Sequence, residues 1–151
     1  MPDPIAPLHL ELDENLCIGC LSCMLVCSER HTGTSNLQRA RIRIQLDVLT
    51  AEHNGHTCQQ CADSPCAAIC PQEAITYDEA VRAWRVDEGE CIGCGQCADA
   101  CPYEMIHLDP VTDTAIKCDL CEGKARCVEV CPPGALRLVD GTACKEAANG
   151  R

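Results

Sequence analysis

The chemistry of this chain lies in its thiols. Sixteen of the seventeen cysteines fall into four groups, Cys17-x2-Cys20-x2-Cys23-x3-Cys27, Cys58-x2-Cys61-x4-Cys66-x3-Cys70, Cys91-x2-Cys94-x2-Cys97-x3-Cys101 and Cys118-x2-Cys121-x5-Cys127-x3-Cys131. A Cys-x2-Cys loop brings two thiolates within a few ångströms and turns backbone N–H groups toward the sulfurs. This is the spacing that ligates [4Fe–4S] clusters, and four groups can hold four of them. Cys-x2-Cys pairs also bind zinc, which leaves a structural zinc module as the remote alternative. Zinc knuckles, however, need neither a third Cys at the second short interval nor a Cys-Pro ending. A chain of 151 residues with four redox centres is expected to conduct electrons.

The flanking residues fit cluster loops. Gly19 and Gly93 sit inside Cys-Ile-Gly-Cys, where unusual φ or close approach to a sulfide is expected. Pro71, Pro102 and Pro132 follow Cys70, Cys101 and Cys131 and direct the chain out of the ligand turn, whereas Cys27 is followed by Ser28. The longer inner loops 62–65 and 122–126 should change solvent cover and N–H donation to their clusters. The chain has no nucleophile with its base, no dinucleotide loop and no phosphate loop, so no substrate chemistry of its own is expected.

Composition agrees with this reading. Aromatics are 2% and Phe is absent, so an ordinary core is out of reach and clusters bound by buried thiolates would organise the interior. The formal charge of −11 would become roughly −19 with four oxidised clusters, which excludes nucleic acid and favours an electropositive patch on a protein partner. The N-terminus shows no export signal and no stretch reaches membrane-spanning length, so a cytoplasmic protein without direct membrane insertion is expected. In that reducing compartment cysteine groups favour metal over disulfides.

The elements that must position the thiols are short. Leu8–Leu12 alternates as a strand, and 40–48 alternates as another with Ala40, Ile42, Ile44, Leu46 and Val48 on its apolar side. The stretch 28–38 is polar and reads as a loop. Gln72-Glu73-Ala74 reads as a helical turn; 75–77 with 84–86, and 105–108 with 115–117, read as hairpins, and 134–139 as a turn and strand. The fold class is α+β: two tandem bacterial-ferredoxin-like units, with short β-hairpins and short helices packed around four iron–sulfur clusters.

The succession of motifs resembles the four-cluster iron–sulfur subunits of the dimethyl-sulfoxide-reductase type, with related electron-transfer subunits of hydrogenase, formate dehydrogenase and aldehyde oxidoreductase systems. The lines that carry the resemblance are Asn15-Leu16-Cys17-Ile18-Gly19-Cys20, Cys27-Ser28-Glu29-Arg30-His31, Cys58-Gln59-Gln60-Cys61 with Pro65-Cys66, Cys91-Ile92-Gly93-Cys94 and Lys117-Cys118-Asp119-Leu120-Cys121. It spans about residues 8–140. The resemblance implies that groups two and three pair, and that groups one and four pair. The short interval between groups two and three supports the inner pair independently; the outer pair rests on the resemblance. The implied clusters are cluster 1 with Cys17, Cys20, Cys23 and Cys131; cluster 2 with Cys58, Cys61, Cys66 and Cys101; cluster 3 with Cys91, Cys94, Cys97 and Cys70; and cluster 4 with Cys118, Cys121, Cys127 and Cys27. The units are then 1–57 plus 102–140 (outer) and 58–101 (inner), with a tail at 141–151.

Within that family the chain is most similar to the small subunit of tungsten aldehyde oxidoreductases. This implies a tungsten-pterin catalytic partner and a flavin subunit or ferredoxin in a hetero-oligomer, with self-association through repeated copies as a further arrangement. The small subunit of a benzoyl-CoA reductase, hydrogenase or formate dehydrogenase complex, or a stand-alone polyferredoxin, is the alternative. Cys144 reads as a free thiol on the tail. The five histidines show no ligand spacing, and His31 reads as a packing or capping residue. Lys117 reads first as solvated, and second as a charge that raises a cluster potential. Arg39, Arg41 and Arg43 read first as a solvated face, and second as a contact for an acidic partner.

Overall fold

The computed structural model describes residues 6–141, so Cys144 and the expected tail beyond Gly141 lie outside the described residues. The elements run β1 (Leu8–Leu12), α1 (Ser22–Thr32), β2 (Arg43–Leu46), β3 (His53–His56), α2 (Pro65–Ile69), β4 (Ile75–Asp78), β5 (Ala83–Val86), α3 (Gln96–Ala100), β6 (His107–Leu108), β7 (Ala115–Ile116), α4 (Arg126–Val130) and β8 (Leu136–Asp140). This is a small mixed fold of short strands and helices, consistent with a ferredoxin-like [4Fe–4S] domain. All four sheets are two-stranded antiparallel ladders. Three of them, β2–β3, β4–β5 and β6–β7, join consecutive strands. The fourth, β1–β8, ties the start of the described chain to its end, with Leu8 opposite Asp140 and Leu12 opposite Leu136.

Three of the four helices are five residues long, and each carries the third cysteine of its group. Cys70, Cys101 and Cys131 cap the C-termini of α2, α3 and α4 in extended conformation, and the proline after each prevents continuation. Helix α1 differs because Ser28 stands where proline would be. It runs on to Thr32 and ends at Gly33 in left-handed conformation. The expected loop at 28–38 is therefore helical in its first part. Ser28 is fully buried, donates from Oγ to the Thr34 carbonyl at 2.5 Å and accepts the Asn36 N–H at 3.0 Å, so it reverses the backbone after the helix.

The nine-residue strand expected at 40–48 is shorter. Ala40, Ile42 and Ile44 are buried, but Leu46 and Val48 are exposed, because only Arg43–Leu46 pairs with β3 before the chain turns at 47–52. The helical turn expected at Gln72-Glu73-Ala74 is a hydrogen-bonded turn with Glu73 in left-handed conformation. The hairpins at β4–β5 and β6–β7 and the strand β8 stand where the alternation places them.

The core is made largely of cysteine and small aliphatic residues. One cluster gathers Leu10, Met24, Ile42, Leu120 and Leu136 around cysteines of groups one and four. A second gathers Ile75, Ile106 and Ala115 around Cys66 and Cys97. Helix α1 packs on α4, and α2 packs on α3. No helix among the described residues is long and apolar enough to cross a membrane.

Candidate metal centres

A left-handed residue stands just before the second cysteine in every group: Gly19 (φ 68°), Gln60 (φ 49°), Gly93 (φ 70°) and Leu120 (φ 57°). A second one precedes each ligand-bearing helix, at Leu21, Ser64, Gly95 and Ala125. The two reversals curl each loop around a point and aim the first three thiols inward. Non-glycine residues pay roughly 1–2 kcal/mol each for this conformation. At Gln60 and Leu120 the side chains are almost completely buried, which offsets that cost.

Twelve of the sixteen thiols line three cavities, four to each, and none of the sixteen is in a disulfide. Cys17, Cys20, Cys23 and Cys131 line one cavity. Cys58, Cys61, Cys66 and Cys101 line another. Cys70, Cys91, Cys94 and Cys97 line a third. Cys27, Cys118, Cys121 and Cys127 are all buried, and beside burial itself negative charge at Cys58, Cys127 and Cys27 acts on Cys118. Crowding and burial oppose bare thiolates. Burial pushes the Cys23 and Cys127 thiols up to about 12 and Cys97 up to about 11, and neighbouring cysteines add to the rise.

Electrostatic contact also orders the quartets. Cys23 acts on Cys127, Cys58 acts on Cys118, and Cys66 acts on Cys97. The Cys17 quartet thus neighbours the Cys118 quartet, which neighbours the Cys58 quartet, which neighbours the Cys91 quartet. Of the sixteen thiols, only Cys20 and Cys94 are exposed, and they belong to the two end quartets.

Donors point at the sulfurs. Backbone N–H groups of Ala74, Met105 and Ala135 donate to Cys70, Cys101 and Cys131 at 3.3, 3.4 and 3.3 Å, each four residues downstream. Cys27 sits inside a continuing helix and takes its N–H from Arg41 instead, at 3.2 Å. The Ala115 N–H donates to Cys91 at 3.4 Å. Sets of four converging thiols, several of them furnished with N–H donors, fit [4Fe–4S] clusters, which would supply one-electron redox chemistry.

The His31, Asp119 and Cys121 ligand atoms also lie within 4.8 Å of one another. His31 is not available as a ligand, because both ring nitrogens are spent on oxygens. Nδ1 lies 2.8 Å from the Cys27 carbonyl and Nε2 lies 2.9 Å from Asp119. Two acceptors require both nitrogens to donate, so the ring is an imidazolium. Burial opposes that charge, but Asp119 and Cys27 raise the pKa to about 9. Asp119 is held well below the usual carboxylate range; burial opposes this and the His31 hydrogen bond and Arg41 prevail. Beyond the packing or capping role expected of it, His31 braces α1 against Asp119 through a buried ion pair.

Two expectations are corrected. Lys117 is not solvated: it is 2% exposed, and its ammonium donates to Cys58 Sγ at 3.2 Å, Gln60 Oε1 at 3.0 Å, the Trp84 carbonyl at 3.3 Å and the Cys118 carbonyl at 3.4 Å. Arg39 and Arg41 do not form a solvated face either. Arg39 grips buried Asp109 with contacts of 2.8–3.0 Å, and Arg41 donates to the Lys117 carbonyl at 3.0 Å and lies 3.5 Å from Asp119. Both are internal braces, which removes them from a partner surface. Arg43 borders an open groove with His9, His56 and Tyr103.

Sequence reasoning missed Gln60, Trp84 and Asp109. Gln60 Nε2 donates to the Cys118 carbonyl at 2.7 Å, while its Oε1 accepts the Trp84 N–H at 2.8 Å. Trp84 Nε1 donates to the Cys61 carbonyl at 2.9 Å. The one signal in the sequence was Gln60 itself, standing where two other loops carry glycine.

Comparison with known proteins follows the same motifs. A family described as a 4Fe-4S dicluster domain matches residues 49–141. The polyferredoxin-like subunit of an aliphatic sulfonate oxidoreductase from Pyrococcus furiosus is 38% identical, over 83% of this chain and 73% of that protein. The thiosulfate reductase electron transfer subunit of Salmonella typhi is 32% identical, over 83% of this chain and 72% of its own length. Subunit beta of the NADH-dependent phenylglyoxylate dehydrogenase of Aromatoleum evansii is 37% identical over 86% of this chain, which spans only 30% of that protein. Among solved structures, a subunit of the BamBC active-site complex of benzoyl coenzyme A reductase as isolated shares the fold, with a TM-score of 0.51, 24% identity and coverage of 87% of this chain and 76% of that one.

Proposed function

From the premise that this protein belongs to the 4Fe-4S dicluster family, whose members are iron–sulfur electron-transfer subunits of oxidoreductase complexes and not catalytic by themselves, we propose that it is a four-cluster electron wire. The clusters are bound by Cys17, Cys20, Cys23 and Cys131; by Cys118, Cys121, Cys127 and Cys27; by Cys58, Cys61, Cys66 and Cys101; and by Cys91, Cys94, Cys97 and Cys70. Electrons run through them in that order or its reverse. The observation that carries this reading is the lining of three cavities by four thiols each, beside a further four buried thiols, with exposed thiols at Cys20 and Cys94.

The chain divides into an outer ferredoxin-like unit, 1–57 plus 102–140, and an inner unit, 58–101. The packing of α1 on α4, of α2 on α3 and of β1 against β8 supports this division. The β6–β7 hairpin, although outer by sequence, packs with its Ile106 and Ala115 surroundings on the inner core and ties the units together.

One end of the wire meets the cofactor of a catalytic subunit of tungsten-pterin type acting on aldehydes, and the other meets a flavin subunit or a ferredoxin. The exposed isoleucines beside the end thiols, Ile18 and Ile92, suit contacts with such partners. Sixteen thiols without a disulfide suit a reducing, cytoplasmic setting. Affinity capture of the chain from its native source under anaerobic conditions tests the assignment. A co-purifying subunit with tungsten and aldehyde-oxidising activity supports it; a partner without tungsten, or one reducing benzoyl-CoA, rejects the aldehyde assignment, and a chain that elutes alone rejects the subunit reading.

A further inference from the structure

The ammonium of Lys117 lies at the junction of the two central quartets. It hangs from the residue before Cys118 and reaches Cys58 Sγ at 3.2 Å, so it joins a backbone neighbour of one cluster to a ligand of the next. Its remaining donors meet Gln60 Oε1 at 3.0 Å and the carbonyls of Trp84 and Cys118 at 3.3 and 3.4 Å. Gln60 is fixed in turn by the Trp84 N–H and the Cys118 carbonyl. A cation this deeply buried is costly unless negative charge answers it. The three oxygens around it are neutral and could be served by a neutral donor. The charge that answers it is the thiolate of Cys58 and whatever that thiolate binds.

The donors elsewhere are of a different kind. The sulfurs of Cys27, Cys70, Cys91, Cys101 and Cys131 receive neutral backbone N–H groups. The other charged side chain near a ligand sulfur in the described contacts is His31, 3.9 Å from Cys27, and it too serves a central quartet. The central quartets also contain no exposed thiol. Adding an electron to a cluster with four thiolates takes its charge from −2 to −3, and burial penalises the more negative state. A fixed ammonium on a ligand sulfur opposes that penalty and makes the cluster easier to reduce.

On the ligand sets proposed above, we infer that Lys117 sets the reduction potential of the cluster held by Cys58, Cys61, Cys66 and Cys101, and so keeps the buried middle of the wire reducible. In the step concerned one electron leaves a neighbouring cluster and enters this one. No proton moves, and Lys117 remains an ammonium in both states.

The test is a redox titration, followed by electron paramagnetic resonance, of the anaerobically purified full chain as wild type, Lys117→Met and Lys117→Arg, with iron and sulfide measured on each. Lys117→Met should lower the midpoint of the Cys58 cluster by at least a tenfold change in its reduction equilibrium, about 59 mV for one electron, move that of the adjoining Cys118 cluster less, and leave the two end clusters unmoved. Lys117→Arg, which keeps the charge, should hold that midpoint near the wild-type value. Four unmoved midpoints at full iron content, a uniform shift of all four, or an equal fall in Lys117→Arg would each overturn the inference. If Lys117→Met assembles incompletely, Gln60→Glu sets an anion against the ammonium with little change of shape. It should lower the same midpoint, and no shift there overturns the inference as well. A wild-type chain without iron and sulfide would reject the cluster reading itself, not the role of Lys117 within it.

Discussion

Two glycines in identical Cys-Ile-Gly-Cys loops should respond very differently to the same change. Gly19 and Gly93 have φ of 68° and 70°, so alanine at either pays roughly 1–2 kcal/mol for left-handed backbone. Their surroundings separate them. A Cβ on Gly19 would meet Leu46 Cδ1 at 3.4 Å, the movable end of a half-exposed side chain. A Cβ on Gly93 would lie 2.3 Å from the Asp113 carbonyl oxygen. Ordinary C···O contacts begin at about 3.3 Å, so roughly 1 Å of overlap must be relieved by moving backbone. That backbone is pinned, because the Asp109 N–H donates to Thr114 at 2.8 Å, the Asp113 N–H donates to Asp109 at 2.9 Å, and Arg39 grips the Asp109 side chain. Overpacking of this kind adds about 1–3 kcal/mol, for a total of about 2–5 kcal/mol at Gly93 against about 1–2 kcal/mol at Gly19. Iron content after anaerobic purification reads the difference. Gly19→Ala should keep about sixteen irons per chain, and Gly93→Ala should fall to about twelve through loss of the Cys91 cluster. Equal iron content and equal cluster lability in the two variants would refute the reasoning.

The buried Arg39–Asp109 pair joins the 37–39 turn to the β6–β7 hairpin, and Asp109→Asn should cost about 3–5 kcal/mol, seen as faster loss of the clusters' visible absorbance in denaturant. Burial raises the Asp109 pKa, but Arg39 and neighbouring N–H groups hold the net value below normal. A folded-state pKa below the unfolded one gives stability that is present above the unfolded value and is lost as pH falls, so wild type should become more labile below about pH 4, and Asp109→Asn should lack that acid limb. Arg41→Glu would set a carboxylate against Asp119 and should cost about 3–5 kcal/mol in thermal melts, whereas Arg43→Glu, beside the open groove, should cost under about 1 kcal/mol. Chelation of iron under reducing conditions should abolish most helical circular dichroism, because the core depends on the metal; a chain that keeps its native spectrum without iron contradicts this.

The cysteine spacing alone was enough to divide the thiols into loops and to place a turn after each Cys-Pro. Alternation located β1 and the hairpins, because those strands are half-buried and their side chains face two environments. It overran at Val48, which lies past the last paired residue, Leu46, in an exposed turn. The polar run after Cys27 concealed a helix, since Ser28, Glu29 and Arg30 are compatible with helix once no proline stops it. The charges were hardest to read. Lys117, Arg39 and Arg41 look solvated in a linear sequence, yet each is buried against a partner 57 to 78 positions away, such as Cys58, Asp109 and Asp119. Nothing local marks such pairs. The left-handed positions at Gln60, Leu120 and Leu21 were equally hidden, because their side chains are held by the core and not chosen for turn propensity.

Iron, zinc and acid-labile sulfide per chain, measured on protein purified without oxygen, test the central claim most directly. The account predicts about sixteen irons, about sixteen sulfides and no stoichiometric zinc. Several zincs per chain with no sulfide would contradict it.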